Sequence, residues 1–539
     1  MMRRKPGRPP LAATLALILV AGAAAARAES RADHEREFSK TVAFQPGQRL
    51  EVEHSQGGLH IGTHALPEVR IHARIAVSSS DEGWAQKFFD GIAIVVETSG
   101  SVVSVRTKYP DMGFSGHGHV NVSYAVDIDI TMPETMPLTA RNKFGNLDVA
   151  GLKAAAVVSN ANGEVSFTDG KGRQRIENAF GAITVERNAG DVDVSGSNGA
   201  VVADGIAGAL SVRNRFGSVQ VKGTKGPVAI NASNGAVLLD DAPSGDVTGS
   251  FGRVDARNVG GELRIQNSNG EVVVAKVGGR LSVRNSFAAV DVSDVGGAVD
   301  VANSNGAVRL RGAKASATLK TSFGSVDAAG VPGDVTAVAD NGSVTLSGSG
   351  GAVDARGSFG KLTVTGAKKG VRIEGNNSAV SVADVTGPVT VNTSFGLVEA
   401  TRIQGDLSVD DSNGAVRASA IGGGARITTS FAGVTLDGAA GRVDVDNQNG
   451  SVDVRGIAGG AKCSPVSVKS SFGPVRLYLP EDAAFTVNAH TSFGKITTQL
   501  PLTISGSPSS DTLTGRLGDG RCPLTLENSN GSIELLKGK

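Results

Sequence analysis

The side chains of this 539-residue chain from which a reactive or metal-binding site could be built are two cysteines, eight histidines and a spread of aspartates and serines. Seven histidines (His34, His54, His60, His64, His72, His117 and His119) fall in the first quarter of the chain. The His117-Gly118-His119 run could put two imidazoles on one strand face, as a zinc or copper site wants. No cysteine or suitably spaced carboxylate accompanies them, so they read as solvated loop histidines. His490 is the only histidine in the remainder. Ser471 and Ser492 belong to a recurring turn motif, which makes each a corner serine before it is a nucleophile. The glycine- and aspartate-rich calcium nonapeptide of some exported β-rolls does not occur, and Asp193, Asp291 and Asp300 sit at outward strand positions as solubility charges. The pattern predicts no catalytic set, no metal and no cofactor.

Cys463 and Cys522 both lie near the C-terminus. An even count in an exported chain invites a disulfide. Regular stacking would hold them about three rungs apart, roughly 14 Å, beyond the ~7 Å reach of a bridge. A bridge therefore requires the terminal segment to fold back as a cap; two free thiols are the alternative.

What would position these groups is a repeat. Glycine recurs every 18 residues from Gly145 to Gly450, with one step of 17 between Gly235 and Gly252, and Ala288, Ser378 and Ala432 hold the three beats without glycine. Counting the marker as position 0, apolar residues fall at +2, +4, +7, +11 and +13, as in Val290, Val292, Val295, Val299 and Val301. Short alternating runs of β-branched residues signal half-buried strands. A fixed period of this length is the signature of a solenoid. The fold expected is all-β: an elongated β-solenoid of 18-residue repeats, two strands per unit.

The residue before each marker alternates without exception: Phe144, Asn162, Phe180, Asn198, Phe216, Asn234, Phe251, Asn269, Phe287, Asn305, Phe323, Asn341, Phe359, Asn377, Phe395, Asn413, Phe431 and Asn449. Asn-Gly supplies the positive φ of a tight turn. The phenylalanine shares the parity of +11 and +13, so it is expected to tuck into the core edge as a corner plug. Two coils fit. One of 36 residues stacks like on like, which cross-β ladders favour; one of 18 stacks each Phe on an Asn and fills a slim rung with five apolar side chains. The shorter coil is the expectation, giving a rod on the order of 100 Å long at ~4.8 Å per rung.

Taken in order, residues 1–28 read as an export signal. Arg3, Arg4, Lys5 and Arg8 precede an apolar run from Leu11, and Ala26-Arg27-Ala28 sets cleavage after Ala28. The run is shorter than the ~20 residues of a membrane span, and no transmembrane segment is expected in the mature chain. Removing the five basic leader residues leaves 48 Lys+Arg against 52 Asp+Glu, a charge near −4, so nucleic acid is not an expected partner. Residues 29–140 read as a β-rich N-terminal cap with one short helix at Asp81–Phe89, which carries Trp84; 141–457 as the regular solenoid; and 458–539 as irregular C-terminal rungs and cap. In that last part SFG follows SFG (Ser471 to Gly473, Ser492 to Gly494), which breaks the alternation along the chain.

The G-x-V-x-V strands separated by SFG and NG turns behind a signal peptide, from LEVEHSQGGLHIG at Leu50 to Gly62 through GSIELL at the end, resemble the bacterial putative-adhesin family of exported β-strand-repeat proteins, a domain of unknown function. The resemblance implies an all-β solenoid of the cell envelope and brings no catalytic residues. The expected function is a non-enzymatic adhesin-like or scaffolding rod in the periplasm, on the outer surface or outside the cell. Its partner would be an envelope or extracellular polysaccharide or protein. Two readings stand beside it: a carbohydrate-active β-helix enzyme, favoured by a groove with Asp/Glu and Arg clustered on successive rungs, and a periplasmic ligand or stress sensor with residues 29–140 as its head.

Overall fold

The computed structural model describes residues 34–111, 122–505 and 509–538; the leader with its cleavage point after Ala28, and His117 and His119, lie outside them. The described chain is a β-solenoid whose coil is 18 residues. Leu281–Phe287 pairs in parallel with Leu263–Asn269 on one side and Val299–Asn305 on the other, each partner 18 residues away. Val290–Val295 is held the same way between Val272–Val277 and Val308–Ala313. Each rung therefore gives one strand before the marker and one after it, to two parallel sheets that share a narrow core. Phe stacks on Asn: Phe287 is paired with Asn269 and with Asn305.

The core follows the period-2 pattern. Val290, Val292, Val295, Val299 and Val301 are all buried, as are Val272, Val274, Val277, Leu281 and Val283 one rung before. Each such side chain is worth about 1.5–3 kcal/mol when fully buried. At the marker the backbones come too close for a side chain: a Cβ on Gly324 would lie 2.3 Å from the Gly306 carbonyl oxygen, at φ +144°. Six residues on, each rung turns again through positive φ, taken by glycine (Gly312, Gly330) or by polar residues such as Asp169, Arg187, Asp294 and Asp384.

The phenylalanines do not plug the core. Phe287 is 53% exposed and Phe323 59%, and the others in the column are similar. The strand's inward parity ends two residues earlier, at +15, where a small polar side chain closes the corner from inside. Asn285 is buried there and its Nδ2 donates to the Gly270 carbonyl at 3.3 Å and the Phe287 carbonyl at 2.7 Å. The chain then swings round the marker and turns the next residue outward.

Both ends depart from the regular stack in the same way. At the N-terminal end the Arg49–Glu53 and Leu59–His64 rung is interposed between the rung of Leu138–Phe144 and Leu147–Ala150 and that of Val102–Lys108 and Val122–Pro133. Antiparallel strands follow outside: Glu68–Ser79 on Val122–Pro133, His34–Ala43 on Glu68–Ser79, and Ala93–Ser99 on Val102–Lys108. The helix Glu82–Gly91, N-capped by Asp81 through the Trp84 amide, packs Ala85, Phe88 and Phe89 inward. At the C-terminal end Cys522–Asn530 and Ile533–Lys537 slide between the Val466–Phe472/Val475–Leu479 rung and the Phe485–Thr491/Ile496–Thr498 rung. Thr512–Arg516 then covers Phe485–Thr491 antiparallel. An open parallel edge is a template for further pairing; antiparallel strands end the stack, and an out-of-order rung ties the last turn to the one inside it.

Candidate functional site

The sequence-derived residues fall into four places. Cys463 and Cys522 are joined by a disulfide with Cα atoms 6.0 Å apart. They meet because the rung that begins at Cys522 sits beside the one that follows Cys463, although 59 residues separate them.

The described N-terminal histidines are dispersed. His34 meets Glu82 at 3.0 Å, His60 meets Asp148 at 2.8 Å and His72 meets Glu37 at 3.7 Å. His64 Nδ1 accepts the Leu66 amide. His54 is buried, with Nδ1 2.9 Å from the Thr107 hydroxyl, and burial pushes its pKa down to about 4. Among the described residues no three His, Cys, Asp or Glu side chains are grouped to hold a metal ion. Trp84 stacks on Phe88 at 4.7 Å, and Phe88 meets Tyr124 edge-on at 4.8 Å, so the helix anchors an aromatic cluster.

On the outer face of the sheet before the markers lie two charged grooves. One, of about 580 Å³, spans several rungs and includes Arg173, Asp191, Asp193, Arg213, Asp246 and Arg264. Asp193 accepts from Arg213 at 3.0 Å, and Asp191 accepts the Ala209 amide. The other, of about 380 Å³, gathers Asp446, Lys469, His490, Ser492 and Glu527 near the C-terminal end. There the interposed rung sets Glu527 between Lys469 and His490 in register, and Lys469 reaches Glu527 at 3.6 Å. His490 Nδ1 lies 3.2 Å from the Thr512 hydroxyl. Asp291 and Asp300 point outward, each in an ion pair, with Arg309 at 3.1 Å and Arg284 at 2.8 Å.

The fourth place is the marker edge itself. Phe144, Phe180, Phe216, Phe251, Phe287, Phe323, Phe359, Phe395, Phe431 and Phe472 are each about half-exposed, and Phe493 is 80% exposed. The Asn residues between them turn along the rod: Asn305 Nδ2 donates to the Ser286 carbonyl at 3.2 Å, and Asn234, Asn341 and Asn413 donate likewise to Arg215, Ser322 and Ser394. Phenyl rings are thus spaced two rungs apart, about 10 Å, with an amide between each pair.

The interposed rung repairs the alternation that the sequence breaks. Phe472 is paired with Asn530, and the Phe493 amide bonds to the Ser529 carbonyl beside it. The marker column runs Gly450, Gly473, Gly531, Gly494, each glycine's missing Cβ facing the preceding carbonyl. In space the order is Asn449, Phe472, Asn530, Phe493. At the other end Gln56 bridges Phe144 and takes the polar place. Sequence reading missed the exposure of this edge; the signal was the small polar residue at +15 (Asn142, Asn178, Asn214, Asn267 and Asn303), which already fills the inner corner.

No family model matches the chain, and no curated protein does. Among solved structures, a "putative cell adhesion protein" from Clostridium sporogenes aligns over 34% of this chain and 100% of its own, at 16% identity and a TM-score of 0.21. Among the described residues no helix is long and apolar enough to cross a membrane.

Proposed function

We propose that the chain is a non-enzymatic cell-envelope rod, exported by its first 28 residues, with an adhesin-like or scaffolding role. The observation that carries this reading is the unbroken 18-residue stack, finished by antiparallel strands at both ends, which repeats one edge chemistry along its whole length. Such a rod offers many weak, equivalent contacts, and multivalency converts them into avidity. Its partner on this reading is an envelope or extracellular polysaccharide or protein.

The test is protease shaving of intact cells that carry a tag between Ser505 and Ser509, with fractionation alongside. Loss of the tag from intact cells supports a surface adhesin. Protection until the outer layer is opened contradicts it and favours a periplasmic scaffold.

A second reading, a carbohydrate-active enzyme, draws on the groove of Arg173, Asp193, Asp246 and Arg264, where acids and arginines lie on successive rungs. It predicts release of reducing ends from an envelope polysaccharide, abolished by Asp246→Asn.

A further inference from the structure

The marker edge differs from the rest of the surface in charge as well as in aromatic content. The sheet faces carry ion pairs rung after rung, among them Asp291 with Arg309 and Asp327 with Arg311. Along the centre of the edge the residues flanking the stripe are Ser286, Ala289, Ser304, Ala307, Ser322 and Ser325, none of them charged. Protein interfaces are depleted of charge at their centre and enriched in aromatics, and an exposed apolar patch beyond a few hundred Å² marks an interaction site.

The stripe also has a shape. A ring projects on every second rung and a shorter amide on the rung between, so it is toothed with a period of two rungs. A partner must share that period to mate along its length, and a second copy shares it by construction. The column from Gln56 to Phe493 alternates without a break. Reversing it on itself sets Gln56 opposite Phe493, Phe144 opposite Asn530, and Asn305 opposite Phe323. Every tooth then faces a gap, which is the self-complementarity a two-fold axis demands. Eleven exposed phenylalanines, at about 100 Å² each when half of a ~200 Å² side chain is open, offer about 1,000 Å² per copy, against roughly 800 Å² per partner in a stable complex.

We propose that the Phe/Asn edge is a homophilic docking surface, through which two copies of the rod pair antiparallel about an axis between Asn305 and Phe323. The pairing does not depend on which side of the outer layer the rod occupies. It also explains why the out-of-order rung carries Asn530: a phenylalanine there would put tooth against tooth at that end of the dimer.

Sedimentation velocity on the mature chain tests this. The expected result is a concentration-dependent dimer whose dissociation constant rises more than tenfold when Phe287, Phe323, Phe359 and Phe395 are changed together to Asn. Asn already stands in this column on alternate rungs, so the melting temperature should be kept. A second measurement leaves the phenylalanines in place: Asn305→Cys, beside the axis, should give an oxidised cross-linked dimer, and Asn162→Cys, far from it, should not. A monomer at all concentrations, an unweakened dimer in the fourfold variant, or self-cross-linking of Asn162→Cys would overturn the proposal. So would a monomer that instead binds a neutral polysaccharide through the same phenylalanines.

Discussion

The middle of the rod and its two ends are built from the same rung but obey different rules of order. Between Leu138 and Leu479 sequence neighbours are spatial neighbours, and each turn rests on the one before it. At both ends a rung is threaded out of turn, and the strands outside it run antiparallel. The middle is therefore a one-dimensional stack whose stability is local, whereas each end closes a long loop and is cooperative with its neighbours. The difference teaches that periodicity specifies a rung's shape, but that its place in the stack is set by non-local pairing.

Several substitutions would break or sharpen that contrast. The largest effect is expected in the middle. Val292 is buried at 3% exposure, and Val292→Asp should cost on the order of 4 kcal/mol or more, as an unpaired buried charge does. Hydrogen exchange should show a block of rungs around Val290–Val295 opening while both ends stay protected. Asp291→Asn next to it removes only an exposed pair with Arg309 and should change stability by under about 1 kcal/mol. Equal losses for the two would refute the assignment of faces.

At the C-terminal end, Cys522→Ser should cost about 2–4 kcal/mol. Exchange should rise together in Cys522–Asn530 and Phe485–Thr491, because the first lies inside the second, and leave Val299–Asn305 unchanged. Loss of protection in only one of the two strands would contradict the interposed rung.

The N-terminal end should be acid-sensitive. His54 is held neutral by burial, with its pKa pushed down to about 4 from the usual 6.5. A lowered folded-state value means the unfolded chain takes up the proton first. Stability is then full above pH 6.5 and falls as pH drops toward 4, by at most about 3 kcal/mol at ~1.4 kcal/mol per unit. His54→Gln should flatten that slope, read as the pH dependence of Trp84 fluorescence melts.

The smallest effect is a gain. Asp411 stands in the inner corner column that elsewhere holds Asn or Thr, is 1% exposed, and burial pushes its pKa up. The folded state favours its protonated form, so its contribution is better in acid and is lost as pH rises through the raised value. Asp411→Asn could donate to the marker carbonyls as Asn285 does, and should add about 1 kcal/mol at pH 7, with less gain in acid.

The strands and the buried valines were legible because alternation is a local pattern. The 18-residue coil was legible because the glycine period is long and strict. The orientation of the phenylalanines was not: parity pointed Phe287 inward, and only the corner turn, closed from within by Asn285, sends it out. The out-of-order rungs were not legible either, since the apolar pattern of Leu524 and Leu526 fits any place in the stack. The Phe472, Phe493, Asn530 order along the chain was the one trace of it.

The most direct test of this account is the neighbour of Phe472 at the marker edge. Two double variants, Phe472→Cys with Asn530→Cys and Phe472→Cys with Phe493→Cys, should be oxidised and mapped by peptide mass spectrometry. Adjacent rungs are within disulfide reach and rungs two apart, about 10 Å, are not. The account predicts a 472–530 link and no 472–493 link. A 472–493 link with none at 472–530 would mean that the C-terminal rungs stack in sequence order, and that the alternating edge does not extend to the end of the rod.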